Sequence, residues 1–130
     1  MEEEKKFASV SSLKTGSYVL IDGFPCAIKS YEKSKPGKHG AAKARITAMG
    51  LFDNQKRTLL KPTSADAEVP IVKKANATVV ALMGDLVQIM DAESYETMDC
   101  KKPDDVKGLE GGAEVEYMRY GKDVKIIRKK

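Results

Sequence analysis

The segment Ser34–Lys43 has residue types and a spacing that single out one lysine. Its sequence is Ser-Lys-Pro-Gly-Lys-His-Gly-Ala-Ala-Lys, in which Gly37 and Gly40 enclose a Lys-His pair. Glycine adopts positive φ at little cost, so a tight turn can form here. Pro36 has a fixed φ and stiffens the approach to that turn. We therefore predict a loop that presents Lys38 to another macromolecule.

Other chemistry for this loop is limited by the residues around it. A solvated hairpin loop has the same composition, so that interpretation stays open. A phosphate-binding Walker loop is excluded, because Glu32 stands five places before Gly37 and His39 follows Lys38 where Ser or Thr is needed. His39 is the single histidine of the chain, so we expect no histidine-rich metal site. Its role is to shape the loop, to contact RNA, or only to be solvated.

Nucleophilic catalysis would need a cysteine beside this histidine. Cys26 could form such a pair with His39, but it lies in a strand pattern and is typical of a core residue. Cys26 and Cys100 have no CxxC spacing, which predicts neither a disulfide framework nor a zinc site. We expect a reducing compartment and no catalytic residues.

The positive charge is concentrated around the loop. The whole chain carries 23 Lys and Arg against 19 Asp and Glu. Residues 29–45 hold six basic side chains and one acidic side chain, Glu32. The six are Lys29, Lys33, Lys35, Lys38, Lys43 and Arg45. Such a field favours an anionic partner.

Short strand-like runs extend along most of the chain. Those of the first half are residues 17–21, 25–31, 44–49 and 56–60, with Asp22-Gly23 as a hairpin turn and the basic loop between the second and third runs. Five further runs cover residues 77–83, 86–91, 95–100, 114–119 and 124–128, which suggests a small oligonucleotide-binding (OB) barrel. Pro103–Gly112 has the start and stop signals of a short helix. A polar stretch places a domain boundary near Pro70, giving domains 1–69 and 70–130.

No targeting or membrane segment is apparent. The charged start of the chain is followed by no apolar signal region, and the longest apolar stretches, such as Val79–Met83, are too short to span a bilayer. We expect a cytoplasmic protein with no membrane partner.

Residues 35–43 resemble the hypusine loop of the archaeal and eukaryotic translation initiation factor 5A family, with Gly-Lys-His-Gly and a second lysine after it. The resemblance continues before the loop in Gly23–Lys29 and after it in Gly50–Asp53. In the second half, Val87–Asp91 and Ser94–Thr97 are similar to the archaeal branch of the family. The similarity covers nearly the whole chain, in order.

The resemblance implies an all-β fold with an SH3-like barrel followed by an OB-fold. It also implies that deoxyhypusine synthase transfers the aminobutyl group of spermidine to Lys38, which makes Lys38 a substrate and the protein a non-enzyme without a separate cofactor. The expected partners are the ribosome and peptidyl-tRNA, whose peptide-bond formation the modified lysine would assist. Ala41 stands where many eukaryotic members have His, so modification could stop at deoxyhypusine.

Further contacts follow from the charge around the loop. We expect Lys33, Lys35, Lys43 and Arg45 to meet rRNA or tRNA phosphates, with steep salt dependence. The second domain has neither an obvious positive groove nor aromatic stacking platforms, so it either contacts the tRNA backbone or acts as a spacer. Two competing hypotheses remain: an RNA binder that uses the loop unmodified, in which Lys38→Arg changes little, and a small enzyme whose activity depends on Cys26.

Overall fold

Strands make up nearly all the regular structure of the computed structural model, which describes residues 5–34 and 42–130. Within those residues the only helical element is one turn of 3₁₀ helix, Val10–Ser12. The predicted all-β class is therefore confirmed. The chain divides into two compact units between Ile71 and Val72, whereas the sequence placed a boundary near Pro70.

The first unit is an SH3-like barrel built from six strands. They are β1 (Lys5–Ser9), β2 (Tyr18–Ile21), β3 (Phe24–Ser34), β4 (Lys43–Gly50), β5 (Lys56–Pro62) and β6 (Asp66–Pro70). Strands β2 to β5 form one antiparallel sheet in sequence order, and β1 pairs with β6 in a separate ladder. The sequence did not predict β1 or β6 as strands.

The core of this unit follows from the two-residue period of β4. Ala44, Ile46 and Ala48 are fully buried, while the residues between them project to the other side of the sheet. Val19 and Ile28 pack in the same core from β2 and β3. These buried side chains therefore hold β4, the strand that follows the basic loop, against the core.

The second unit has the strand order of an OB-fold. Its strands are β7 (Lys73–Met83), β8 (Leu86–Asp91), β9 (Thr97–Lys101), β10 (Glu114–Tyr120) and β11 (Asp123–Lys129). They form a sheet in the order β11-β10-β7-β8-β9. Strands β9 and β11 stand at opposite ends of this order but contact each other. This contact brings the two edges together and curls the sheet into a barrel.

The predicted short helix over Pro103–Gly112 is wrong, because this segment is irregular in the structure. Gly108 has φ of 75°, which ends any right-handed turn a few residues after Pro103. So short a segment does not recover the cost of helix nucleation. Instead Val106 and Leu109 pack directly against the barrel core. The start and stop signals that predicted a helix thus enclose an irregular segment, whose apolar residues are partly buried.

Candidate functional site

Strands β3 and β4 form an extended antiparallel hairpin that carries the basic loop. Their ladder continues to the pair Ser34 and Lys43, where the Ser34 hydroxyl also donates to the Lys43 carbonyl at 3.2 Å. On the other side, the Thr63 backbone N–H donates to the Ala42 carbonyl at 2.9 Å. The two ends of the loop are therefore fixed by hydrogen bonds to β3 and to the end of β5.

The residues of the loop itself lie outside those that the structure describes. They include the predicted modification site Lys38, the predicted loop-shaping residues Pro36, Gly37, His39 and Gly40, and the predicted RNA contact Lys35. The predictions for them stay predictions. Lys33, Lys43 and Arg45 are described, and they surround the base of the loop.

These three cations do not share one face of the hairpin. In an antiparallel ladder, directly opposed residues project to the same side, and neighbours along a strand project to opposite sides. Lys43 opposes Ser34 and Arg45 opposes Glu32, whereas Lys33 opposes the buried Ala44. Lys43 and Arg45 therefore lie on the outer face, and Lys33 belongs to the other face.

A shallow groove of about 260 Å³ lies at this end of the sheet. It is lined by Glu32, Lys33, Ser34, Lys43, Arg45 and Leu60. Leu60 is 62% exposed and stands opposite Arg45 on β5. The groove thus combines cations that can bind phosphate oxygens with an aliphatic side chain that can cover a sugar or an apolar group.

Arg45 differs from the other three arginines of the chain. Arg57, Arg119 and Arg128 each bind a carboxylate, at 2.9, 3.1 and 2.7 Å. Among residues 5–34 and 42–130, the side chains of Arg45, Lys43 and Lys33 have no hydrogen-bond or ion-pair partner. Their charge is therefore available to an external anion.

Cys26 lies in the core rather than in a site. It is fully buried, its Sγ contacts the Phe24 carbonyl at 3.3 Å, and burial raises the pKa of its thiol. The thiolate is the nucleophilic form of cysteine, so a buried neutral thiol gives no support to catalysis by Cys26.

No cluster of three or more His, Cys, Asp or Glu in the described part of the chain could hold a metal ion. The same residues include no helix that could cross a membrane.

Sequence reasoning missed a clasp at the opposite end of the hairpin. Arg57 lies 4.0 Å from the centre of the Phe24 ring and holds Asp53 through two hydrogen bonds, at 2.9 and 3.1 Å. The guanidinium lowers the pKa of the Asp53 carboxyl. A Cβ at Gly50 would stand 1.9 Å from Asp53 Oδ1, so this packing requires glycine there. Asp53 and Arg57 are four residues apart in the β4–β5 hairpin, whereas the contact with Phe24 joins them to the start of β3, and no local pattern indicates that contact.

Comparisons with known proteins agree on one family. Residues 5–65 match the family model described as "Translation initiation factor 5A-like, N-terminal". The chain is 49% identical over 123 residues to the translation initiation factor 5A of Methanocaldococcus jannaschii, covering 95% of this chain and 93% of that protein. It is 49% identical over 130 residues to the one of Methanopyrus kandleri, covering 98% and 96%.

Two solved structures extend the match to the fold. The structure titled eukaryotic translation initiation factor 5A from Methanococcus jannaschii superposes with a TM-score of 0.91 at 48% identity, covering 97% of this chain and 95% of that one. A factor 5A family protein from Naegleria fowleri gives a TM-score of 0.74 at 31% identity, covering 97% and 98%. The resemblance seen in the sequence is confirmed: the chain belongs to the translation initiation factor 5A family and is a translation factor.

Proposed function

We propose that the protein binds the ribosome beside the peptidyl-tRNA and promotes peptide-bond formation, including at consecutive prolines, through a hypusine or deoxyhypusine at Lys38. The observation that carries this proposal is the basic hairpin. Its ladder fixes both ends of the loop that contains Lys38, and Arg45 and Lys43 stand beside it without partners among the described residues. Membership of the family supports the role in translation.

The modification would extend the reach of one cation. Lysine carries a single compact ammonium on a four-carbon stem. Deoxyhypusine synthase would transfer an aminobutyl group from spermidine to the lysine nitrogen and release 1,3-diaminopropane, which lengthens the stem and adds a second amine. Lys38 is the substrate of that reaction, and the protein needs no other cofactor. In the cytoplasm the modified arm would steady the acceptor end of the tRNA, so the ribosome does the chemistry and the factor supplies positioning.

Lys43 and Arg45 would supply the electrostatic part of binding. Each cation that neutralises an rRNA or tRNA phosphate releases a condensed counterion, so affinity falls as salt rises. Arginine also binds a phosphate through two parallel hydrogen bonds. Lys33, on the other face of the ladder, and Lys35 would act on phosphates that approach from elsewhere around the loop.

The test compares two substitutions that both conserve charge, Lys38→Arg and Lys56→Arg. Lys56 is exposed and pairs with Met49, at the far end of the β4–β5 ladder from the loop. In a translation system from the native source, Lys38→Arg should abolish stimulation of a proline-rich reporter, because arginine cannot accept the aminobutyl group. Lys56→Arg should leave it unchanged. Equal activity of the two variants would instead favour the unmodified RNA-binding hypothesis.

A further inference from the structure

The turn between β8 and β9, residues Asp91–Glu96, is closed by backbone hydrogen bonds. The Asp91 N–H donates to the Glu96 carbonyl at 2.9 Å, and the Tyr95 N–H donates to the Asp91 carbonyl at 3.0 Å. Within the turn, Asp91 Oδ1 accepts from the N–H groups of Glu93 and Ser94, at 2.8 and 2.9 Å. One carboxylate oxygen therefore holds the backbone of Glu93 and Ser94 in place.

That carboxylate is itself anchored inside the barrel. Asp91 is 3% exposed, and its second oxygen accepts a hydrogen bond from the hydroxyl of the fully buried Tyr117. This bond is the main reason that the pKa of Asp91 is lowered to about 2. Because Asp91 stays ionised at neutral pH, it remains an acceptor for both the core and the turn. The hydrogen bond from the buried Tyr117 to Asp91 therefore helps to hold the turn rigid.

Tyr95 is the member of this turn that the fold does not explain. Its φ is 62°, in the left-handed region, where glycine and asparagine are tolerated better than an aromatic residue. Its side chain is 70% exposed and, within residues 5–34 and 42–130, has no hydrogen-bond or ring-stacking partner. The positive φ is unfavourable for the isolated protein, and the exposed ring contributes no core packing that would offset it. Strain of this kind is typical of binding sites.

The charges around the ring disfavour a nucleic acid. Glu93 and Asp99 are exposed acids on the turn and on the next strand, and their side chains have no ion-pair partner among the described residues. Glu96 is also exposed, although Arg119 binds it at 3.1 Å. Two further cations lie near the turn: Lys73, which lowers the pKa of the buried Asp91, and Lys130, which binds the side chain of Asn76 at 3.0 Å. The carboxylates of Glu93 and Asp99, which have no ion-pair partner among the described residues, would repel a phosphate backbone and attract basic side chains.

We propose that Tyr95 is an anchor residue for a partner protein, whose apolar pocket receives the ring and whose Lys or Arg side chains meet Glu93 and Asp99. Tyrosine is enriched among the residues that dominate protein interfaces, and a rigid turn holds the ring in place before binding. The inference rests on the proposed function for one point only, which is that the partner is a basic protein of the ribosome.

A series at position 95 separates binding from folding. Tyr95→Asn and Tyr95→Gly remove the ring but suit positive φ, so both should keep or raise the midpoint of thermal unfolding. Both should also weaken sedimentation with native-source ribosomes by about tenfold or more. Tyr95→Phe keeps the ring and should bind like the unsubstituted protein. Full binding by Tyr95→Asn would overturn the inference while leaving the proposed function intact.

The class of partner is tested by photo-crosslinking. The photoreactive residue p-benzoyl-phenylalanine, incorporated in place of Tyr95, should crosslink to a protein when the complex with purified ribosomes is irradiated. Mass spectrometry would identify that protein. A crosslink to rRNA or tRNA would overturn the inference. If the unsubstituted protein fails to sediment with ribosomes, it is the proposed function that fails, and the identification of the partner fails with it.

Discussion

The basic hairpin of the first unit and the Asp91–Glu96 turn of the second present opposite chemistry at the ends of paired strands. The hairpin holds Arg45 and Lys43 without carboxylate partners among the described residues. The turn holds exposed acids and an aromatic ring, and a buried carboxylate fixes its backbone. One region is suited to a polyanion and the other to a basic protein.

The difference also concerns the range over which each region acts. The unpaired cations act through a field that extends about 8 to 10 Å at physiological salt. They can therefore steer association before contact. Tyr95 acts only on contact, and its contribution depends on the ring being in place. We therefore expect salt to change the contribution of the hairpin much more than that of the ring.

The largest effect should come from removing the hairpin charges. Lys43→Gln with Arg45→Gln should lower ribosome affinity and reduce the slope of log affinity against log salt by about two. Sedimentation at several salt concentrations measures this slope. The matched control, Lys14→Gln with Lys56→Gln, removes two exposed charges that lie outside the basic segment of residues 29–45 and should change the slope less. Tyr95→Asn should leave the slope unaltered. If the slope fell equally in both double variants, Lys43 and Arg45 would contribute no more to binding than other exposed lysines.

The second largest effect is on the free energy of unfolding, and we expect it only for a substitution in the second unit. Tyr117→Phe removes the hydroxyl that donates to Asp91 and leaves a buried carboxylate oxygen without that donor. It should lower the free energy of unfolding by about 1 to 3 kcal/mol. The hairpin double variant should change it by less than about 0.5 kcal/mol, since its side chains are exposed. Denaturant titration compares the two. An unchanged free energy of unfolding in Tyr117→Phe would show that the hydrogen bond from Tyr117 to Asp91 does not stabilise the turn.

Asp91 should also give the protein a pH dependence at acid pH. Its pKa is lowered from 3.8 to about 2 in the folded state, so ionised Asp91 stabilises the fold above 3.8 and this contribution is lost as the pH falls through 2. The difference in unfolding free energy between the unsubstituted protein and Asp91→Asn should be constant above about pH 5. It should narrow by up to about 2 kcal/mol on acidification. A difference that does not vary with pH would contradict an ionised, anchored Asp91.

The smallest effect is expected at Gly50. Gly50→Ala places a Cβ 1.9 Å from Asp53 Oδ1, so the clasp with Arg57 must move aside. Asp53 and Arg57 are partly exposed and can move, so the thermal midpoint should fall less than in Tyr117→Phe, with ribosome binding unchanged. At Gly111 the nearest atom to an added Cβ is 4.0 Å away, which makes Gly111→Ala the control. A binding defect in Gly50→Ala would extend the functional site to this end of the hairpin.

Elements with strong local patterns were predictable from the sequence. The alternation in β4 and the strand-like run of residues 86–91 in β8 both predicted strands, and Gly37 and Gly40 directed attention to the loop between β3 and β4. Strands β1 and β6 were missed because Lys5–Ser9 and Asp66–Pro70 are polar and become strands by pairing with each other across about sixty residues of chain. Non-local pairing of this kind leaves no periodic pattern.

The contacts that distinguish the two units were not predictable for the same reason. Asp91 and Tyr117 are 26 residues apart, and nothing around either residue indicates that they share a hydrogen bond. The positive φ of Tyr95 is a property of the closed turn, and a sequence rule would have placed glycine or asparagine there. The helix predicted over Pro103–Gly112 failed because helix signals at both ends enclosed too few residues.

Mass mapping of the peptides across residues 33–45, on protein purified from its native source, tests the central claim most directly. The account predicts an aminobutyl or hydroxylated aminobutyl increment on Lys38 and on no neighbouring lysine. An unmodified Lys38 in native material would contradict it, and the basic hairpin would then be an RNA-binding surface that acts through its unmodified cations.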